Sequence, residues 1–195
     1  KQMFDNGLEI IAKVRGAENR KWVGIKDVWT IEFFAPLARA YPEARFIISF
    51  RDPRATANSM LGASRTYPEQ AGHLLSYARH WRKLVAFTTR YQADPLFEGR
   101  LHILAHEHVL REPESAAQEL CEFLDVDYDQ AMLDTDNYFD YATGATWTGN
   151  SAFEQVTSGI SVHRAERWQT MLDPKIVKMV DFVCGPDMKL IGYEP

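Results

Sequence analysis

One stretch constrains this chain more than any other: Arg45-Phe46-Ile47-Ile48-Ser49-Phe50, with Arg51-Asp52-Pro53 directly behind it. An almost unbroken apolar run of this length, without polar alternation, is the pattern of a strand covered on both faces of a parallel sheet. Asp52 suits the N-cap of a helix and Pro53 its first turn, so a helix is expected from Arg54 to about Leu61. The local unit is strand, tight turn, helix. Parallel strands require crossovers of this kind.

The same grammar recurs along the chain. Apolar residues at helical spacing predict helices over residues 4–14, 30–40, 68–91, 112–124, 162–171 and 174–184. The second of these stops before Tyr41-Pro42, because the residue preceding proline is pushed out of the α region. Trp22-Val23-Gly24-Ile25 and Leu101-His102-Ile103-Leu104-Ala105 have the length of buried strands. Residues 140–159, rich in Gly, Thr, Ser and Asn, read as a functional loop with Trp147 and Phe153 embedded. Alternation of strands and helices predicts an α/β fold, a mostly parallel sheet with helices on both faces. At 195 residues and 46% hydrophobic, with no repeat or linker, one domain spanning residues 1–195 is expected.

Composition narrows the function classes. A net charge of −5 disfavours a surface devoted to nucleic acid or an anionic bilayer, so a bound anion must be held by a local pocket. Cys121 and Cys184 form no C-x-x-C pair, which argues for a reducing, cytoplasmic setting and against a zinc ribbon. No apolar run approaches the ~18 residues of a membrane span, and no leader peptide opens the chain.

The end of the 46–50 strand is where an anion would bind. Ligands of open α/β sheets sit beyond the carboxyl ends of the strands, where helix N-termini present unpaired N–H groups. Arg51 adds a planar fork of donors for a phosphate. Ser59 comes about two helical turns after Asp52 and can return to the same face. Spacing alone leaves open whether Arg51 instead pairs with Asp52 or caps a neighbouring helix, with Ser59 as a small packing residue.

Pro42 to Met60, P-E-A-R-F-I-I-S-F-R-D-P-R-A-T-A-N-S-M, resembles the 3′-phosphate-binding segment of sulfotransferases that use 3′-phosphoadenosine 5′-phosphosulfate (PAPS), especially the bacterial ones and the tyrosylprotein sulfotransferases. The resemblance continues in order over most of the chain. It implies a P-loop-NTPase-like sheet, and it gives Arg51 and Ser59 the 3′-phosphate. G-I-K-D, Gly24 to Asp27, is similar to the family's segment with a catalytic lysine at a strand end, here Lys26. H-E-H-V-L-R-E-P, His106 to Pro113, resembles the family's Y-E-D-L-V-x-x-P, with His106 where the family has a nucleotide-holding tyrosine. The loop around Ser151 and the pair Arg167-Trp168 resemble the segment that folds over the nucleotide, and I-G-Y-E-P resembles the family's C-terminal G-Y-x-P.

The resemblance implies PAPS as sulfuryl donor, 3′-phosphoadenosine 5′-phosphate as product, no metal, and a hydroxyl acceptor on a carbohydrate, small metabolite or tyrosine. Lys26 would stabilise charge on the bridging oxygen; on the residues alone it reads as a solvated lysine paired with Asp27. The family's P-x-S-G-T-T-like phosphosulfate loop does not precede Lys26, so it is expected upstream of residue 1. A polypeptide without it is expected to bind the 3′-phosphate end weakly and not to turn over. The catalytic base is expected in that upstream segment too, with Asp27 in reserve.

Other constellations carry plainer readings. His102, His106 and His108 have tempting metal spacing, but the strand is expected to end near Ala105 and no cysteine is close. His73 and His80 are expected on one helical face around Tyr77. Trp22, Trp29 and Trp81 are assigned to the core, and Trp147 to stacking or to packing on the domain. Two rival functions remain: a nucleotide kinase on a related sheet, which would need G-x-x-x-x-G-K-[ST], and a non-catalytic nucleotide-binding remnant of a sulfotransferase.

Overall fold

A computed structural model describes residues 2–14, 16, 18–66, 73–138, 144–145 and 159–195. Its centre is a parallel strand pair, β1 (Phe46–Phe50) and β2 (Leu101–Ala105), in register from Phe46 opposite Leu101 to Phe50 opposite Ala105. Between them run α3 (Pro53–Thr66) and α4 (Leu74–Gln92), after α1 (Gln2–Val14) and α2 (Phe34–Ala40). Behind β2 come α5 (His106–Arg111) and α6 (Pro113–Leu124), then the short α7 (His163–Glu166) and α8 (Trp168–Met171), and finally α9 (Pro174–Leu190).

Helices cover both faces of the pair, as expected. Phe46, Ile48 and Phe50 of β1 are buried on one face, in a core shared with Trp81, Val85 and Tyr91 of α4 and Val180, Cys184 and Met188 of α9. On the other face His102 of β2 lies 5.2 Å, ring to ring, from Phe123 of α6. The run 46–50 is not covered throughout, however: β1 alternates buried and exposed, with Ile47 39% exposed. Burying a ring such as Phe50 is worth roughly 2–3 kcal/mol, and the phenylalanines do most of that work here. Tyr91 anchors the core's far end, its ring tilted against Phe97 at 4.5 Å and its hydroxyl donating to the Ile31 carbonyl at 2.8 Å.

Several helix starts follow the local signals. The Asp52 carboxylate accepts from the Arg54 N–H at 2.7 Å, which caps α3 before Pro53. Asp173 does the same for α9, accepting from the Lys175 N–H at 2.8 Å with Pro174 in the first turn. Asp125 ends α6 in the left-handed region, φ 53°, where a short polar side chain is tolerated.

The strand expected at residues 22–25 does not form. A strand exists only if its N–H and C=O groups pair with a neighbour, and among the described residues only β1 and β2 pair. The segment runs irregularly instead, pinned where the Trp22 indole N–H donates to the Leu124 carbonyl at 2.6 Å. Val23 and Ile25 are exposed, and so is Trp29 at 56%; of the three tryptophans assigned to the core only Trp81 is fully buried there. The helix expected at 162–171 is two short ones meeting at Arg167, and the last helix runs on to Leu190. His73 is not on the His80 helical face, since it is extended and precedes the first turn of α4.

Candidate active site

The carboxyl ends of β1 and β2 lie side by side, and the residue after each, Arg51 and His106, meets the other there. Trp81 of α4 fixes the Arg51 backbone by donating its indole N–H to the Arg51 carbonyl at 2.9 Å. The next N–H, that of Asp52, is taken by the buried Glu107 carboxylate at 2.9 Å. Glu107 uses its second oxygen to accept from the Tyr193 hydroxyl at 2.6 Å. The turn that presents Arg51 is therefore held from three other segments of the chain.

The Arg51 side chain reaches α7, where one Nη donates to the Arg164 carbonyl at 3.2 Å. Its Nε is buried and makes no hydrogen bond among the described residues. Burial pushes the guanidinium pKa down, Glu107 opposes that, and the nearby positive charge of Arg167 adds to it. His106 is pushed below its ordinary value as well, by burial first and then by the charge of Arg51, with Arg164 acting in the same direction and Glu107 opposing. The charges of Arg51, Arg164 and Arg167 and the His106 imidazole thus act on one another at the strand ends, with the buried carboxylates of Glu107 and Asp52 as counter-charges to Arg51. A buried N–H with no acceptor, such as the Arg51 Nε, costs free energy until an acceptor joins it. The donor set suits a phosphate or sulfate group.

Arg54 has a different duty. It grips Asp52, Nη2 to Oδ2 at 2.7 Å and Nε to Oδ1 at 3.0 Å, reaches Asp181 of α9 at 3.4 Å, and lies over the Trp168 ring at 4.3 Å. This settles one question that spacing left open: Asp52 is paired by Arg54 and not by Arg51. The other half of the plain reading is partly met, because Arg51 does bond a helix carbonyl.

The remaining candidates are more scattered. Ser59 is half-buried two turns into α3, and Lys26 is exposed in the irregular segment before α2; neither takes part in the contacts just described. Asp27 forms no ion pair with Lys26 among the described residues; its carboxylate accepts from the Trp29 N–H at 2.7 Å instead. Arg167 joins α7 to α8 beside Arg51. Ser151, Trp147 and Phe153 lie outside the described residues. The three histidines diverge: His102 against Phe123, His106 beside Arg51, His108 bonded to Glu119 at 3.0 Å. Among the described residues no cluster of His, Cys, Asp and Glu could hold a metal.

Sequence reasoning passed over Glu107, Tyr193 and Arg164. Glu107 and Tyr193 sit inside the quoted segments H-E-H-V and I-G-Y-E-P, and the signal was a carboxylate next to a strand end where burial was expected. Arg164 stands three residues before Arg167, a spacing that puts both on one helical face.

Fold and site together define a parallel α/β protein with a cluster of cationic side chains at its strand ends. A model of the sulfotransferase family matches residues 1–130, and the chain belongs to that family. Curated relatives include a protein-tyrosine sulfotransferase of Drosophila melanogaster, 24% identical over 193 residues, and protein-tyrosine sulfotransferase 1 of Danio rerio, 26% identical over 193. Each alignment covers 96% of this chain but 37% and 52% of the relative, so the chain spans about half or less of their length. The fold is shared with the sulfotransferase domain from the curacin biosynthetic pathway, TM-score 0.64 and 16% identity over 97% of this chain and 68% of that one. The sulfotransferase domain of the Synechococcus PCC 7002 olefin synthase gives a TM-score of 0.60 and 20% identity over 90% and 62%.

Proposed function

We propose that this chain forms the 3′-phosphate side of a PAPS-dependent sulfotransferase that acts on a hydroxyl acceptor. The observation that carries the reading is the buried Arg51 Nε with no acceptor among the described residues, near Arg167 and His106 at the strand ends. Family membership makes an adenine nucleotide with a 3′-phosphate the fitting anion, and it lends the kinase alternative no support.

In this reading Arg51 donates its fork to the 3′-phosphate, Ser59 adds a hydroxyl from α3, and Arg167 supplies charge from the α7–α8 joint. His106, neutral when the site is empty of anion, offers one ring N–H from the end of β2. Ser151 would close over the nucleotide. When bound, PAPS would supply an activated sulfuryl group: its S–O bond to the 5′-phosphate would break as a bond to the acceptor oxygen forms, 3′-phosphoadenosine 5′-phosphate would leave, and the acceptor's proton would pass to a general base. Lys26 neutralises charge on the bridging oxygen, which costs little reorganisation if the ammonium is already in place. The names of the relatives favour a tyrosyl hydroxyl over a carbohydrate or small metabolite as acceptor. The free, buried thiols of Cys121 and Cys184 favour a reducing compartment, in keeping with a cytoplasmic setting.

The test is calorimetric titration with adenosine 3′,5′-bisphosphate. Saturable binding that weakens roughly ten- to a hundredfold in Arg51→Ala is expected for loss of a charge-assisted fork. Equal heats for the two proteins would remove the pocket.

A further inference from the structure

We infer that Glu107 is a positioning residue for the anion site and that the carboxy-terminal segment 192–195 acts through it as a latch on Arg51. The inference rests on the nucleotide reading above and deepens it.

The geometry is a closed circuit. Glu107, 8% exposed, accepts from the Asp52 N–H with one oxygen and from the Tyr193 hydroxyl with the other. Arg54 holds the Asp52 side chain and also donates to the Glu194 carbonyl at 2.8 Å. Asp52, Glu107, Tyr193, Glu194 and Arg54 therefore bind one another in a ring, and Arg51 is the residue immediately before it. Each member closes a contact between segments far apart in the chain: the β1–α3 turn, the start of α5, and the tail after α9.

The tail is built to reach this place. Gly192 adopts φ +83°, a left-handed conformation that costs other residues about 1–2 kcal/mol, and this turn lets the Tyr193 N–H return to the Met188 carbonyl at 3.0 Å. The Tyr193 ring then rests 6.5 Å from that of Trp81, edge on, which is the same side chain that holds the Arg51 carbonyl. Burial and the bond to Glu107 both push the phenol's pKa up, so it stays a donor across the working range of pH.

A carboxylate left buried with one partner missing moves or draws in water. Loss of the Tyr193 hydroxyl alone therefore frees Glu107, loosens the Asp52 N–H, and lets the Arg51 fork wander. A site that must hold a phosphate on two parallel bonds tolerates little such freedom.

The experiment compares the unaltered chain, Tyr193→Phe and Tyr91→Phe in binding adenosine 3′,5′-bisphosphate, with thermal melts of each. Both substitutions delete one buried hydroxyl bond and keep the ring, but Tyr91 lies in the core, bonded to Ile31. The latch predicts roughly three- to tenfold weaker binding for Tyr193→Phe and unchanged affinity for Tyr91→Phe, at a temperature where all three are folded. Equal affinity for Tyr193→Phe and the unaltered chain overturns the latch while leaving the nucleotide pocket intact. Equal weakening in both variants overturns it too, because stability alone would then explain the effect. Absence of saturable binding by the unaltered chain overturns the nucleotide reading, and the latch with it.

Discussion

Arg54, and not its neighbour Arg51, holds the Asp52 carboxylate, with Nη2 2.7 Å from Oδ2 and both side chains nearly shut off from solvent. The consequence is a division of labour between two arginines three positions apart. One is spent on structure, while the other keeps a buried N–H that finds no acceptor among the described residues.

That division predicts different phenotypes. Asp52→Ala removes both the cap of α3 and the partner of a buried guanidinium, and it should cost about 3 kcal/mol in urea denaturation. Asp52→Asn keeps an acceptor for the Arg54 N–H and should cost clearly less. Arg51→Ala should leave the denaturation midpoint nearly in place while it weakens anion binding. A loss under about 0.5 kcal/mol for Asp52→Ala would show that the pair does not hold the turn.

His106 makes the site sensitive to pH. Its folded pKa lies below the ordinary 6.5, lowered by burial and by Arg51, so the unfolded chain takes up a proton first as the pH drops. The stability gained from keeping it neutral is complete above about pH 6.5 and is lost as the pH falls through the lowered folded value. His80 is lowered too, by burial and then by Lys83, and adds to the same trend. A bound phosphate reverses the sign locally, because it favours the imidazolium. Affinity for adenosine 3′,5′-bisphosphate should therefore rise as the pH falls from 8 to 6, by up to roughly tenfold per unit. In His106→Gln the part of that slope above the ligand's own titration should vanish; an unchanged slope would place His106 outside the pocket.

Cys184 is completely buried in the core, and burial pushes its thiol up to about 11. The thiolate is the reactive form. Alkylation at pH 8, followed by mass spectrometry, should modify Cys184 in denaturant and spare it in the folded chain. Labelling at comparable rates in both states would contradict its place between α4 and α9.

The fold was legible in the sequence to the extent that local rules decide it. Phe46 to Phe50 announced a strand, Asp52-Pro53 the start of α3, and Asp173-Pro174 the start of α9, because capping and period act over a few residues. Trp22 to Ile25 carried the same apolar signal as a strand and still did not pair, since pairing needs a neighbouring edge that the run itself cannot supply. Trp29 was assigned to the core as a residue within a strand or helix but lies against His80 and Lys83 with more than half its surface open.

The candidate site divides along the same line. Arg51 was legible because it follows a strand directly, and strand ends are where α/β sheets hold ligands; His106 was legible only through the resemblance of H-E-H-V-L-R-E-P to the family's Y-E-D-L-V-x-x-P. Glu107 and Tyr193 were hidden although both stood in quoted segments, for their roles depend on partners 55 and 86 positions away. What the sequence alone determined is therefore where locally signalled elements such as β1, α3 and α9 begin, and the family the chain resembles. Only the tertiary structure decided that Arg54 takes Asp52, that Glu107 joins the turn to the tail, and that Arg51 keeps a buried donor to spare. Hydrogen bonds and ion pairs of this kind are chosen by distance in space, and no periodicity along a chain encodes which distant groups will arrive at the same point.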